Sequence, residues 1–331
     1  MVSSSTVARV SSLGEARQRL PREFLESLQE TFPQAASQAI LRGMCARRPT
    51  TLRVNSLHAT PEEIAAFFRE EGVKHRRVPW CPQGFILSEL RERDVQRWDS
   101  YRDGRIYLQS LSSMVPALAL GPRPGEHVLD IAAAPGSKTT QMAAMMENSG
   151  SILAVELDPV RAQRLAYNVA LQGCGNVAVR AGRGEKIGEE MPGCFDRVLL
   201  DVPCSGEGRF IVGMPASSRS WSRQLIADRA RLQRKLFASG FKALKVGGVL
   251  VYSTCTLNLD ENERIIHWAL ESFPLSTEKV PVPIAGSWSG MSRGLDPGVS
   301  KALRLFPDAE KEGFFICRMR KMGEGETEER P

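Results

Sequence analysis

Two cysteines in this chain each sit at the end of an apolar run. Cys204 lies in Asp201-Val-Pro203-Cys204-Ser-Gly-Glu-Gly208, at the end of FDRVLLD (195–201). Cys255 lies in Ser253-Thr254-Cys255-Thr256, directly behind VLVY. A lone strand-end cysteine is more often inert core than nucleophile. Two thiols and the Asp201 carboxylate on one edge of a sheet reverse that balance. A thiolate of lowered pKa attacks at neutral pH, and a second acid–base group beside it moves protons. Lys138 is a candidate source of the positive field that lowering requires.

Two further segments read as a binding pocket. The run Asp130-Ile-Ala132-Ala133-Ala134-Pro135-Gly136-Ser137-Lys138-Thr-Thr-Gln141 is strand, small-residue turn, helix start. Small residues let the backbone approach a ligand, and the first turn of a helix offers free N–H groups. The run is neither G-x-G-x-x-G nor G-x-x-x-x-G-K-[ST], which disfavours a dinucleotide or a P-loop nucleotide. Glu156, ending the next strand, suits the two hydroxyls of a ribose; standing alone it would read as a solvated acid.

An adenosyl-type pocket, two thiols and a carboxylate together suit one chemistry. C5 of cytosine is a poor nucleophile until a thiolate adds to C6. The carbon then accepts a methyl group from a sulfonium, while Asp201 bonds the N3/N4 edge and the second thiol assists proton removal and elimination. The base must leave its stack to reach such a site. A DNA cytosine-5 methyltransferase would use the Cys of the PC pair and leave Cys255 unexplained.

The elements that must position these groups alternate. A strand, a Gly-containing turn and a helix are expected in succession over 125–146, further strands at 151–158, 176–180, 195–201, 249–255 and 313–321, and further helices at 159–173, 223–248 and 260–273. This alternation predicts an α/β fold with a doubly wound, mostly parallel sheet. Ahead of it, Leu20 to Arg42 carries a helical period, 51–55 is a strand, and 60–72 is a helix with Thr60 as N-cap and Pro61 at its first position. Strands follow near 76–80 and 84–87. The expected division is a helical segment and small α+β unit over 1–105, a catalytic domain over 106–321 and a disordered tail over 322–331. Residues 1–16 read as loose.

The chain has 331 residues, net charge +6 and seven cysteines. The odd count without a C-x-x-C pair argues against zinc and against a disulfide framework. No apolar run approaches a membrane span and no signal sequence precedes the first helix. These features read as a protein of a reducing compartment, the cytoplasm, with no metal. Arginines cluster in the first unit: Arg47, Arg48 and Arg53, then Arg69, Arg76 and Arg77 with Lys74 and His75, then Arg91, Arg93, Arg97, Arg102 and Arg105. Such a basic face suits RNA.

At these motifs the sequence resembles the NOL1/NOP2/Sun family of RNA cytosine-5 methyltransferases, closest to the bacterial 16S rRNA m5C methyltransferase F group. The matching runs are LRVN (52–55), VPWCPQGF (78–85), YLQSLSSM (107–114), DIAAAPGSKTTQ (130–141), FDRVLLDVPCSGEG (195–208), YSTCTLNLDENE (252–263), LRLFPD (303–308) and EGFFICRMRK (312–321). The resemblance implies a Rossmann-like S-adenosyl-L-methionine-dependent methyltransferase core with a smaller N-terminal α+β RNA-binding domain. It implies a cofactor held by Ala132 to Lys138, Glu156, Arg161 and Asp201. It implies Cys255 as nucleophile, Cys204 in product release and Asp201 on the target base. Arg183 stands where the family usually has an Asp for the adenine amino group; an Arg has donors only. Val202 replaces the more usual Ala, and the additional C-terminal RNA-binding domain common in the 16S-directed group does not follow residue 321 here. The implied substrate is ribosomal RNA, with transfer RNA as the alternative and a catalytically weak RNA-binding or assembly protein as a further one. A monomer is expected.

Overall fold

The computed structural model describes residues 13–323. Of the disordered tail expected over 322–331, residues 324–331 lie outside the described residues, as do the first twelve residues of the expected loose segment, whereas Met322 is held, its N donating to Pro274 O at 2.9 Å. Residues 13–16 belong to a helix, Leu13–Arg19, whose Ala16 is buried. The helical period of 20–42 resolves into two helices, Arg22–Thr31 and Gln34–Cys45. Pro33 divides them: it holds Phe32 extended and cannot continue a helix.

Among the described residues, a four-stranded antiparallel sheet follows, built from β1 (Thr50–Val54), β2 (His75–Val78), β3 (Cys81–Leu87) and β4 (Ile106–Leu108) in the order β2-β3-β1-β4. The helix Pro61–Glu70 covers it. Thr60 caps that helix reciprocally: its Oγ1 accepts from Glu63 N at 3.2 Å and Glu63 Oε2 accepts from Thr60 N at 2.8 Å. Phe68, Phe85, Leu52 and Ile106 fill the space between helix and sheet.

The larger sheet contains β5 (His127–Ile131), β6 (Ser151–Glu156), β7 (Val177–Ala181), β8 (Phe195–Asp201) and β9 (Leu244–Thr254), parallel and ordered β7-β6-β5-β8-β9. Four antiparallel strands extend it: β10 (Leu275–Glu278), β11 (Trp288–Ser289), β12 (Leu303–Leu305) and β13 (Phe314–Lys321). The strand order reverses between β5 and β8, so a crevice opens at the carboxyl ends of these two strands. Because β13 runs against β9, its first residues lie at that same edge, with Phe315 opposite Thr254.

The long helix ends at Ala243, five residues before the expected 248. Leu244 already pairs with Phe195, and Gly247 takes φ +78°, a conformation that breaks a helix. The helix Leu111–Leu120 has no sequence signature of its own, since it carries Pro116 and has no polar face. It packs in the core under β8, β9 and β13.

One arginine of the basic first unit is not on its surface. Arg53 is 2% exposed, donates from Nε to Gln109 Oε1 at 3.0 Å and from Nη2 to Thr140 Oγ1 at 3.1 Å. It fastens the small sheet to the helix that follows β5, and burial pulls its pKa down to about 10. It therefore offers nothing to a polyanion.

Candidate active site

The crevice at the switch point is a cleft of about 810 Å³. Ala132, Ala134, Pro135, Ser137 and Lys138 line it from the loop after β5, Asp201 and Cys204 from beyond β8, and Cys255 from beyond β9. Gly136 takes φ +104°, and a Cβ there would stand 2.8 Å from Leu165 Cδ1, so the turn into the helix Ser137–Met145 requires glycine on both counts. Ala132 also adopts a positive φ of 64°, which places the loop tight against the cleft. Ala133 and Gly136 carry this loop without lining the cleft.

The two thiols meet: Cys204 Sγ and Cys255 Sγ are 3.3 Å apart. Donation from Cys204 holds the Cys255 thiol below its ordinary pKa, and the Arg209 guanidinium reinforces this. The same bond, with burial and the Cys255 charge, drives Cys204 well upward. Of the two thiols, Cys255 is the one whose ionisation the surroundings favour.

Lys138 does not supply that field. Its Nζ lies 2.7 Å from Asp201 Oδ2 and donates to Ser113 Oγ at 2.9 Å. Asp201 Oδ1 accepts from Ser253 Oγ at 2.8 Å. Arg209 plays the role expected of Lys138; no motif in the sequence marked it, because it reaches the thiol from a short 3-10 turn, Glu207–Arg209, after the PC loop.

Buried carboxylates hold both cysteine loops. Glu261 accepts from Ser205 N at 2.9 Å, from Ser205 Oγ, and from Gln233 Nε2 at 3.0 Å. Ser205 Oγ also meets Thr256 Oγ1 at 2.8 Å, so the PC and TC loops share one network. Burial pushes Glu261 up to about 7. Glu263 and Arg304 form a fully buried bidentate pair, and Arg304 Nη1 donates to Leu257 O at 2.9 Å. Gly208 N donates to Cys255 O at 2.9 Å, and a Cβ on Gly208 would lie 2.2 Å from Gly313 O. This contact draws Glu312 and Phe314 into the cleft lining. The N-terminal helices pack behind: Phe24 contacts Phe210 and Trp221, and Val212 N donates to Met44 O at 3.0 Å.

The cofactor candidates divide. Glu156 is 3% exposed and lies behind the loop, its carboxylate accepting from Ala134 N at 3.3 Å and Asp158 N at 3.1 Å. Arg161 lines the cleft and donates from Nη2 to Ala134 O at 2.9 Å. Arg183 is not brought to the cleft. It faces solvent with Glu185 Oε1 3.5 Å away, because the chain turns into a 3-10 segment at Gly184. Asp130 was part of the motif but not a candidate; it is 1% exposed, its Oδ2 accepts from Thr139 Oγ1 at 2.6 Å, and its Oδ1 has no partner among the described residues. Burial pushes it up to about 7.

A parallel core in this order, with its small-residue loop at the switch point and a separate N-terminal sheet, is a Rossmann-like methyltransferase fold. Residues 117–320 match the family model described as 16S rRNA methyltransferase RsmB/F, and residues 20–94 match the ferredoxin-like domain of RsmF/B-like methyltransferases. The chain belongs to this family. It is 37% identical over 314 residues to ribosomal RNA small subunit methyltransferase F of Pectobacterium atrosepticum, covering 92% of this chain and 63% of that protein. The protein of the same name from Enterobacter sp. is 39% identical over 315 residues, covering 91% and 63%. The chain thus spans about 63% of the length of these curated relatives. The crystal structure of a methyltransferase homolog from Pyrococcus horikoshii superposes with TM-score 0.81 at 32% identity, covering 95% of this chain and all of that one. No helix among the described residues is long and apolar enough to cross a membrane.

Proposed function

We propose that the protein methylates C5 of cytosine in RNA, using S-adenosyl-L-methionine, with Cys255 as covalent nucleophile. The observation that carries this reading is the pair of thiols, 3.3 Å apart in the cleft that Asp201 also lines. When bound, S-adenosyl-L-methionine supplies an electrophilic methyl group on its sulfonium. The fit of the pocket to that cofactor rests on Asp130, whose unpaired buried Oδ1 suits an ammonium group, and on Glu156 at the ribose position. Leu157 and Val160, 62% and 69% exposed, offer apolar surface beside Glu156 for a purine face.

The Cys255 thiolate adds to C6 and leaves a nucleophilic carbon at C5. Asp201, held by Lys138 and Ser253, receives the N3/N4 edge of the base and stabilises charge developing in the ring. After transfer, Cys204 takes the C5 proton, and the Cys255 Sγ–C6 bond breaks with return of the electron pair to sulfur. Cys204 first releases its own proton to solvent, a step that its neighbour's loss of charge in the adduct favours. The names of the relatives support small-subunit ribosomal RNA as substrate.

Replacing each cysteine separately tests the assignment. Cys204→Ala accumulates a covalent RNA–protein adduct on denaturing gels in the presence of cofactor, and Cys255→Ala forms none. The reverse pattern assigns the nucleophile to Cys204 and refutes the reading.

A further inference from the structure

A second cleft, of about 700 Å³, adjoins the first and shares Ser110, Ile211, Met214 and Glu312 with it. It runs between the N-terminal sheet and the cysteine loops. Arg47, Arg48, Arg76 and Arg91 line it. Arg76 is paired with Glu310 at 2.6 Å, whereas Arg47, Arg48 and Arg91 form no salt bridge among the described residues. Arg48 is pinned by its Nε to Lys311 O at 2.9 Å, and its Nη2 is buried with no partner among the described residues.

Four glutamates also line this cleft: Glu89, Glu92, Glu310 and Glu312. Two are answered by cations from outside the lining, Glu89 by Lys74 at 2.7 Å and Glu312 by Arg209 at 3.9 Å. With Lys74 and Arg209 included, the balance is six cations against four anions, and the unpaired cations are guanidinium groups. A guanidinium fork matches the oxygens of a phosphate and stacks on a flat base. The wall shared by the two clefts carries Ser110 and Glu312 and an apolar ridge, Ile211 with Met214, the latter 41% exposed. Apolar wedges of this kind separate stacked bases.

We infer that the second cleft holds the nucleotide next to the target cytosine on the same RNA strand, with its phosphates on Arg47, Arg48 and Arg91. The Ile211–Met214 ridge stands between the two bases and keeps the target unstacked, as a base must be to reach an enclosed site. This inference rests on the proposed reading of the first cleft as the cytosine site. It also gives the N-terminal arginines a task more specific than general attraction, since Arg47 and Arg91 reach the cleft and Arg53 does not.

The test uses the full chain with Arg47→Ala and Arg91→Ala combined; both side chains are exposed, so folding is preserved. Binding of a fluorescent single-stranded RNA of about twelve nucleotides is followed by anisotropy at several salt concentrations. The double variant binds at least about tenfold more weakly, and the slope of log affinity against log salt falls by about 1.4, at roughly 0.7 per lost phosphate contact. Its affinity for S-adenosyl-L-methionine alone, by calorimetry, stays at the wild-type value. Unchanged RNA affinity and slope, with wild-type binding intact, overturn this inference and leave the cytosine site standing. Failure of the wild type itself to bind RNA at low salt overturns both.

Discussion

Replacing Asp130 by Asn tests the electrostatics of the cofactor loop through folding stability. Asp130 is buried to 1% exposure at the end of β5, and burial raises its carboxyl from the ordinary 3.8 to about 7. Between those values the folded protein holds a proton that the unfolded chain has lost. The stabilising contribution of this group is therefore complete below pH 3.8 and is lost as pH rises through about 7. At 1.36 kcal/mol per pH unit, the gap between 3.8 and about 7 corresponds to at most about 4 kcal/mol. Asn keeps the acceptor for Thr139 but never ionises. Its amide, in the place of the unpaired Oδ1, adds a cost of about 1–3 kcal/mol that does not vary with pH. The informative quantity is therefore the difference between Asp130→Asn and wild type, from urea unfolding at pH 5 and pH 8. That difference shifts in favour of the variant by about 2–3 kcal/mol on going to pH 8, since only the interval from pH 5 to about 7 contributes. A difference flat across this range, or one moving in favour of wild type, refutes the assignment of a desolvated, unpaired carboxylate. Calorimetry at pH 8 completes the test, with at least about tenfold weaker binding of S-adenosyl-L-methionine to the variant if the carboxylate receives its ammonium group.

Arg209→Met removes the guanidinium that favours the Cys255 thiolate, so the rate of alkylation of Cys255 by iodoacetamide rises at higher pH than in wild type and methyl transfer at pH 7 falls by about tenfold or more. An unshifted alkylation profile assigns the lowered pKa to Cys204 alone. Arg304→Met leaves Glu263 charged, buried and unpaired; it costs about 3–5 kcal/mol in chemical denaturation and loosens the TC loop through the lost bond to Leu257 O. Gly136→Ala places a methyl group against Leu165 at a positive φ, and weaker cofactor binding with little change in RNA affinity is expected from calorimetry and anisotropy.

The motifs at 130–141, 201–208 and 252–256 were legible because each is a contiguous run at a strand end, and the alternation of strands and helices orders those ends along one edge. Boundaries were less legible where pairing overrides propensity. Leu244 leaves a helix-forming run to join Phe195, and Pro116 sits within a helix buried enough to tolerate it. Composition alone grouped Arg53 with the exposed arginines, although it is an internal fastening between the small sheet and the helix after β5.

By itself the sequence determined that Cys204, Cys255 and Asp201 would stand on one crevice, since a parallel sheet gathers its carboxyl ends there whatever the details of packing. Tertiary structure decided the charges. Which cation faces Cys255 depends on a turn far away in sequence, Glu207–Arg209, but adjacent in space, and Lys138 is drawn off by Asp201. The same packing turned Arg183 outward and brought Glu312 inward through the contact of Gly208 with Gly313. Side-chain electrostatics follow distances between residues far apart in sequence, and those distances exist only once the sheet has closed its edge.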